Sequence, residues 1–229
     1  MNMPFYVAPE QVMKDRADYA RKGIARGRSL VAFRFDRGIA ICAENTSSTL
    51  RKISEIYDRI AFAGVGKYNE FDQLRIAGVR HADMKGYAFS REDVDARSLA
   101  NQYAQSLGQI FTHEMKPLEV EILVAEIGHP DDGSADQLFH ILYDGTVMDE
   151  DMSVVLGGET DAISERFGEF DEVPSLADGL RRAVAALAGP DRSLDAAALE
   201  AAVLERGDHR RTFRRLADAE LTEILTAVT

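Results

Sequence analysis

The strongest constraint in this chain is the stretch from Gly27 to Gly66, where apolar runs alternate with tight-turn residues. Residues 30–35 and 39–43 are β-branched, aromatic or small and apolar, and Asp36-Arg37-Gly38 separates them. Such runs fit a pleated surface buried on both faces, and the break supplies a turn. The pattern predicts a hairpin at the centre of a sheet that the rest of the chain covers. Two more strands are expected at 51–56 and 61–65. Gly64 and Gly66 then bracket Val65 and free the backbone for a sharp corner into a helix.

Upstream, Pro9 suits a first helical position and Glu10 suits the first turn. Met13, Ala17, Ala20 and Ile24 form one narrow apolar stripe, which predicts a helix over about 9–26 stopped by Gly27. Its other faces carry Lys14, Asp15, Arg16, Asp18, Arg21 and Lys22. A helix this polar, standing before the first strand, fits an interface better than a core. Residues 1–8 show no helical period and are expected to be a mobile N-terminal segment, ahead of one domain over 9–229.

Downstream, a helix is expected over 68–84 with Phe71, Leu74, Gly78 and His81 on one face. Ser90 with Asp93 reads as a capping box for a second long helix bearing Ala100, Tyr103, Leu107 and Ile110, which Lys116-Pro117 closes. A strand follows at 120–128. Residues 138–143 and 146–148 read as a hairpin around Asp144-Gly145 with a type I′ turn. After a strand at 154–156, Gly157-Gly158 turns the chain into a helix over 161–170. Ser175 with Asp178 caps another helix, which ends at Gly189-Pro190. Residues 196–205 stay open: alanine content favours helix, while the position before Gly207 and the apolar run 212–216 favours a hairpin. A last helix spans 218–228. Runs of strands thus alternate with helix pairs, and two sheets packed face to face with helices outside each bury every apolar face. The expected class is α+β, a four-layer αββα sandwich.

The net charge of −12 excludes a broad face for nucleic acid or anionic membrane. The local exception, RGDHRRTFRR at 206–215, reads as a solvated or interface-facing hairpin. The single cysteine, Cys42, lies in an apolar strand and reads as a small buried hydrophobe. His81, His113, His129, His140 and His209 are scattered, so neither a metal site nor a Ser-His-Asp triad is expected. The Gly-x-Gly at 64–66 lacks a third glycine and a following acidic partner, so no nucleotide cofactor is expected. No apolar span reaches the ~18 residues a membrane helix needs, and no signal-peptide pattern opens the chain, so a cytoplasmic location is expected.

Pro9, the run Tyr19-Ala20-Arg21-Lys22-Gly23, the hairpin, Lys52-Ile53 and Gly64-x-Gly66 before a helix together resemble a proteasome core-particle α subunit. ARKGIARGRSLVAF, KISEIYDRIAF, GKYNEFDQLR and LANQYAQSLGQIFT resemble the actinobacterial type, and the likeness runs from residue 4 to residue 226. The resemblance implies an αββα sandwich of the N-terminal-nucleophile hydrolase type. It implies a homo-heptameric α ring that caps catalytic β rings in a threonine-protease complex for intracellular protein degradation. In that family the helix at 9–26 packs between ring neighbours, with Pro9, Tyr19 and Arg21 at the interface. Met1, Asn2, Met3, Pro4, Phe5, Tyr6, Val7 and Ala8 would form the gate through which unfolded proteins pass. Lys52 would line an intersubunit pocket for the C-terminal carboxylate of a hexameric ATPase or other ring-shaped activator. A lysine, as a mobile point charge, fits that task. The family also implies, in actinobacteria, a pathway that tags substrates with a small ubiquitin-like protein.

The same likeness implies no catalysis by this chain. Catalytic β subunits begin the hairpin with an N-terminal threonine, and an N-terminal nucleophile needs its own free amine or a nearby lysine as base. Arg28 stands at that position, internal and without a nucleophilic atom. Glu44 and Lys52 stand where the family's catalytic Asp and Lys stand. The alternative is an autoprocessed N-terminal-nucleophile hydrolase, cut between Arg28 and Ser29, with Ser29 as nucleophile and Glu44 and Lys52 serving it. Arginine rather than glycine before the cut, and loss of the first helix, count against it.

Overall fold

The computed structural model describes residues 8–128 and 133–227. Strands β1 (Leu30–Phe35) and β2 (Gly38–Glu44) pair antiparallel from Phe35↔Gly38 to Leu30↔Ala43. Every residue of β2 is buried, and β2 is the middle strand of its sheet. Its outer neighbours are β8 (Ser153–Leu156), β9 (Leu199–Glu205) and β10 (Phe213–Arg215), in the order β10-β9-β2-β1-β8. The second sheet contains β3 (Ile53–Tyr57), β4 (Ile60–Gly66), β5 (Val120–Glu126), β6 (Gln137–Ile141) and β7 (Val147–Glu150), in sequence order.

The period-2 alternation of β1 divides the molecule into layers. Leu30 and Ala32 face the second sheet, meeting Ile39, Ile41, Leu123 and Ala125. Val31, Phe33 and Phe35 face outward onto α4 (Thr160–Phe167) and α5 (Leu176–Ala188), where Phe33 and Phe167 stack with centroids 5.7 Å apart. α6 (Asp218–Thr226) joins that layer through Leu221. The second sheet is covered by α2 (Tyr68–Ala88) and α3 (Ala96–His113). These two helices approach closely because Gly78 sits under Tyr103, whose hydroxyl lies 1.8 Å from where a Cβ would be. The architecture is the expected four-layer α+β sandwich.

α1 (Pro9–Ile24) lies at one end of the cleft between the sheets. Only Ala20 and Ile24 are fully buried, and both enter the inter-sheet core. Ala17 is half-buried, while Val12, Met13 and Tyr19 are exposed. The helix thus serves the core through its last turns alone. It stops at Ile24 rather than running on to Arg26, and Ala25 is its C-cap.

Several expectations need correction. Ser90 caps a short 3-10 turn, Arg91–Asp93, and not the long helix. Val94 is extended and buried at 2% exposure, which breaks the helical phase. Asp95 then caps α3, accepting from Ser98 N at 2.8 Å. The Asp144-Gly145 turn is not type I′. Gly145 N donates to Leu142 O at 3.0 Å and Leu142 N to Thr146 O at 2.9 Å, with Gly145 at φ +88° and Asp144 outside the left-handed region. This is a type I turn closed by a glycine bulge, held by Asp144 Oδ1 accepting from Thr146 N at 2.9 Å. α2 continues to Ala88, and Ala82 rather than His81 completes its buried face. α4 ends at Phe167 because Gly168, at φ +66°, stops it, and Phe170 folds back onto Phe167.

The ambiguous segment is a 3-10 turn, Ala196–Ala198, followed by strand β9. Asp195 caps the turn, and β9 pairs with β2 along its full length. Burial against β2 and both core layers outweighs alanine's helical preference. The basic run at 206–215 is largely neutralised from within. Arg206 pairs with Asp136, Arg211 with Glu55, Arg214 with Glu205 and Glu220, and Arg215 with Glu200. Cys42 is fully buried, and burial pushes its thiol up to about 12.

Candidate docking site

The strand ends beside α1 gather a polar cluster at one end of the sandwich. Glu200, at 4% exposure, anchors it. Its carboxylate accepts from Asn45 Nδ2 at 2.7 Å, Lys52 N at 2.9 Å, Ile53 N at 3.2 Å and Arg215 Nη1 at 2.7 Å. Four donors satisfy the acceptor capacity of this buried carboxylate. It thereby fixes the backbone at the start of β3 and aims the Lys52 side chain.

The Lys52 ammonium donates to the main-chain carbonyl of Arg28. No carboxylate among the described residues forms a salt bridge with it. Burial pulls Lys52 down to about 8; Glu200 and Glu44 partly oppose this and the Arg28 charge adds to it. Glu44, its side chain 7% exposed, is held by Arg28 and by Arg192, whose Nη1 and Nη2 donate at 3.1 and 3.3 Å. Ser29 is buried, and its hydroxyl donates to Gly158 O at 2.7 Å. The structure therefore does bring Ser29, Glu44 and Lys52 together, with each engaged elsewhere.

A cavity of about 360 Å³ is lined by Tyr19, Gly23, Arg26, Gly27, Gly66, Lys67 and Glu119, and it meets this cluster through the chain, since Gly27 precedes Arg28. Its floor is glycine backbone from two elements. Gly66 has φ +104°, and a Cβ there would lie 2.0 Å from Glu119 O. A Cβ on Gly27 would lie 2.9 Å from Gly66 N. The walls carry both signs: Arg26 and Lys67 are positive, with Lys67 3.4 Å from Glu70, and Glu119 is negative and paired with Lys116. Lys52 does not line the cavity; its ammonium reaches the carbonyl of Arg28, the residue after the cavity-lining Gly27.

Tyr19 is 47% exposed on α1, with Lys116 Nζ 5.4 Å from its ring centroid. Arg21 is exposed and pairs with Asp18 at 2.7 Å. Pro9 opens α1 and is exposed, and Ala8 is the N-cap. Met1 to Val7, expected as the rest of the gate, lie outside the described residues. Gly66 is more than a corner residue, because it also lines the cavity, which no local pattern signals. Glu200 and Arg192 join the site only through the tertiary fold. An acid flanked on both sides by apolar residues, Glu200 in AAALEAAVL, is the available signal for a buried ion pair.

Two antiparallel sheets face to face, flanked by helices, form the αββα sandwich of the N-terminal-nucleophile hydrolase type. A family model described as proteasome subunit matches residues 24–188. The proteasome subunit alpha of Acidimicrobium ferrooxidans is 63% identical over 226 residues, covering 98% of this chain and 97% of the relative. That of Thermomonospora curvata is 55% identical over 228 residues, covering 98% of each. That of Xylanimonas cellulosilytica is 54% identical over 234 residues, covering 97% of this chain and 95% of the relative. The chain belongs to the proteasome subunit family. Among the described residues no helix is long and apolar enough to cross a membrane, and no group of three or more His, Cys, Asp or Glu could hold a metal.

Proposed function

We propose that this chain is a non-catalytic α subunit of a proteasome core particle, cytoplasmic, forming homo-heptameric rings that scaffold the catalytic β rings. Residues 1–8 gate the passage of unfolded substrates. Lys52 receives the C-terminal carboxylate of a hexameric ATPase or other ring-shaped activator. The exposed, charged faces of α1, including Pro9, Tyr19 and Arg21, meet the ring neighbour.

The observation that carries the docking reading is the Lys52 ammonium. It donates to the carbonyl of Arg28, one residue after the cavity-lining Gly27, and forms no salt bridge with an acidic side chain among the described residues. A half-buried cation without a carboxylate is suited to take one from an incoming chain. Lys52→Ala in the assembled particle should abolish activator-stimulated peptide hydrolysis and leave the particle mass unchanged. Undiminished stimulation would remove Lys52 from the site. The autoprocessing alternative has Lys52 on the Arg28 carbonyl in its favour. Against it, the Ser29 hydroxyl is given to Gly158 O and Glu44 is bound by two arginines.

A further inference from the structure

We infer that Arg28 is a second cation for the incoming C-terminal carboxylate, leaving Glu44 to reach it while Arg192 keeps Glu44 neutralised. This rests on the docking reading of Lys52 and adds to it a residue and an exchange.

The two partners of the Arg28–Glu44 pair differ in freedom. The Arg28 side chain is 51% exposed and that of Glu44 is 7% exposed. The guanidinium can swing into solvent; the carboxylate cannot follow. Leaving a buried carboxylate alone would be costly. Glu44, however, is not left alone. Arg192 meets both its oxygens, at 3.1 and 3.3 Å. Arg192 is itself tied down at the end of α5, with Nε donating to Ala188 O at 3.2 Å and Nη2 to Leu187 O at 2.9 Å. Those carbonyls are the negative end of the helix, a favourable seat for a fixed cation. Arg192 is as exposed as Arg28, 52% against 51%, so the two carbonyl bonds are what set it apart: they make Arg192 the static partner of Glu44 and Arg28 the exchangeable one.

Arg28 is also rooted in the right place. Its own carbonyl accepts from the Lys52 ammonium, so its side chain starts where a docked carboxylate would arrive. The two cations feel one another, since the Arg28 charge helps to hold Lys52 below its usual range. Two like charges at such range gain from sharing one carboxylate, and each can take one of its oxygens. An arginine adds directional hydrogen bonds that a lysine alone lacks. The chemistry selected is a free main-chain carboxylate at the end of a peptide.

The test uses core particles assembled with the β partner, wild type and variants. The probe is a fluorescein-labelled decapeptide carrying the last ten residues of the ring ATPase of the same organism, as the free acid and as the C-terminal amide. Binding is followed by polarisation, and ring integrity by native mass spectrometry. Equal binding of acid and amide by wild type would overturn the docking reading itself. If wild type prefers the acid and Lys52→Ala loses that preference, the docking reading stands and Arg28 is tested separately. Arg28→Gln should then bind the acid about tenfold more weakly and the amide unchanged. Glu44→Gln should bind the acid severalfold more tightly, because it releases Arg28; a merely structural ion pair would not give this sign. Wild-type affinity of Arg28→Gln for the acid would overturn the role of Arg28. So would an equal loss for the amide, which marks a disturbed cavity and not a missing charge.

Discussion

The Lys52 ammonium donates its hydrogen bond to the main-chain carbonyl of Arg28, across from the carboxylate that pairs with the Arg28 side chain. One residue thus receives a cation on its backbone and offers another on its side chain. The arrangement gathers two cations at one residue, next in the chain to the cavity-lining Gly27.

This geometry sets a pH dependence. Burial depresses Lys52 to about 8, so the ammonium is charged below that value and neutral above it. Binding of a carboxylate needs the charged form. Affinity for the free-acid tail peptide should therefore be full near neutrality and fall steeply as pH rises past 8, with the amide showing no such fall. A flat acid profile to pH 10 would mean that the Lys52 charge takes no part.

The buried carboxylate of Glu200 should be the main structural support of the site. It accepts from two backbone amides and two side chains, and nothing else in the cluster replaces it. Glu200→Ala should cost about 3–5 kcal/mol in denaturant unfolding, as expected when one partner of a buried ionic network is removed. Glu200→Gln, which keeps the acceptor oxygen, should cost clearly less. A loss under about 1 kcal/mol for the alanine variant would show that water replaces these bonds.

How much of this was legible beforehand varied with the range of the interaction. The central hairpin, the polar first helix and the layered order followed from local period and from turn residues, and burial decides both. Lys52 was found through resemblance. Its setting was not legible, because Glu200, Arg192 and Lys52 are brought together from strand ends and a helix end far apart in sequence. Local signals also misled where tertiary packing ruled. Ser90 and Asp93 mimic a helix cap, but the burial of Val94 delays α3 to Ala96. The Asp144-Gly145 pair suggests one turn, but the Asp144 side chain holds another. Residues 196–205 are alanine-rich, yet β2 needs a partner along its whole length and takes residues 199–205.

The gate reading has its own test, and the fold shows where to cut. Ala8 O accepts from Gln11 N at 3.0 Å and Val12 N at 3.2 Å, so Ala8 belongs to the cap of α1. Removal of residues 1–7 should raise basal hydrolysis of small peptides by the assembled particle severalfold and leave the ring intact. Basal hydrolysis equal to that of the full chain would count against a gate.

The most direct test of the central claim is the mass of the chain inside its assembly. Native mass spectrometry of particles assembled with the β partner, with dissociation of single subunits, reads that mass. The account predicts the intact 25.3 kDa chain, seven copies to a ring, still carrying the Arg28–Ser29 bond. A chain that begins at Ser29 would contradict it, and would turn Ser29, Glu44 and Lys52 into an active site.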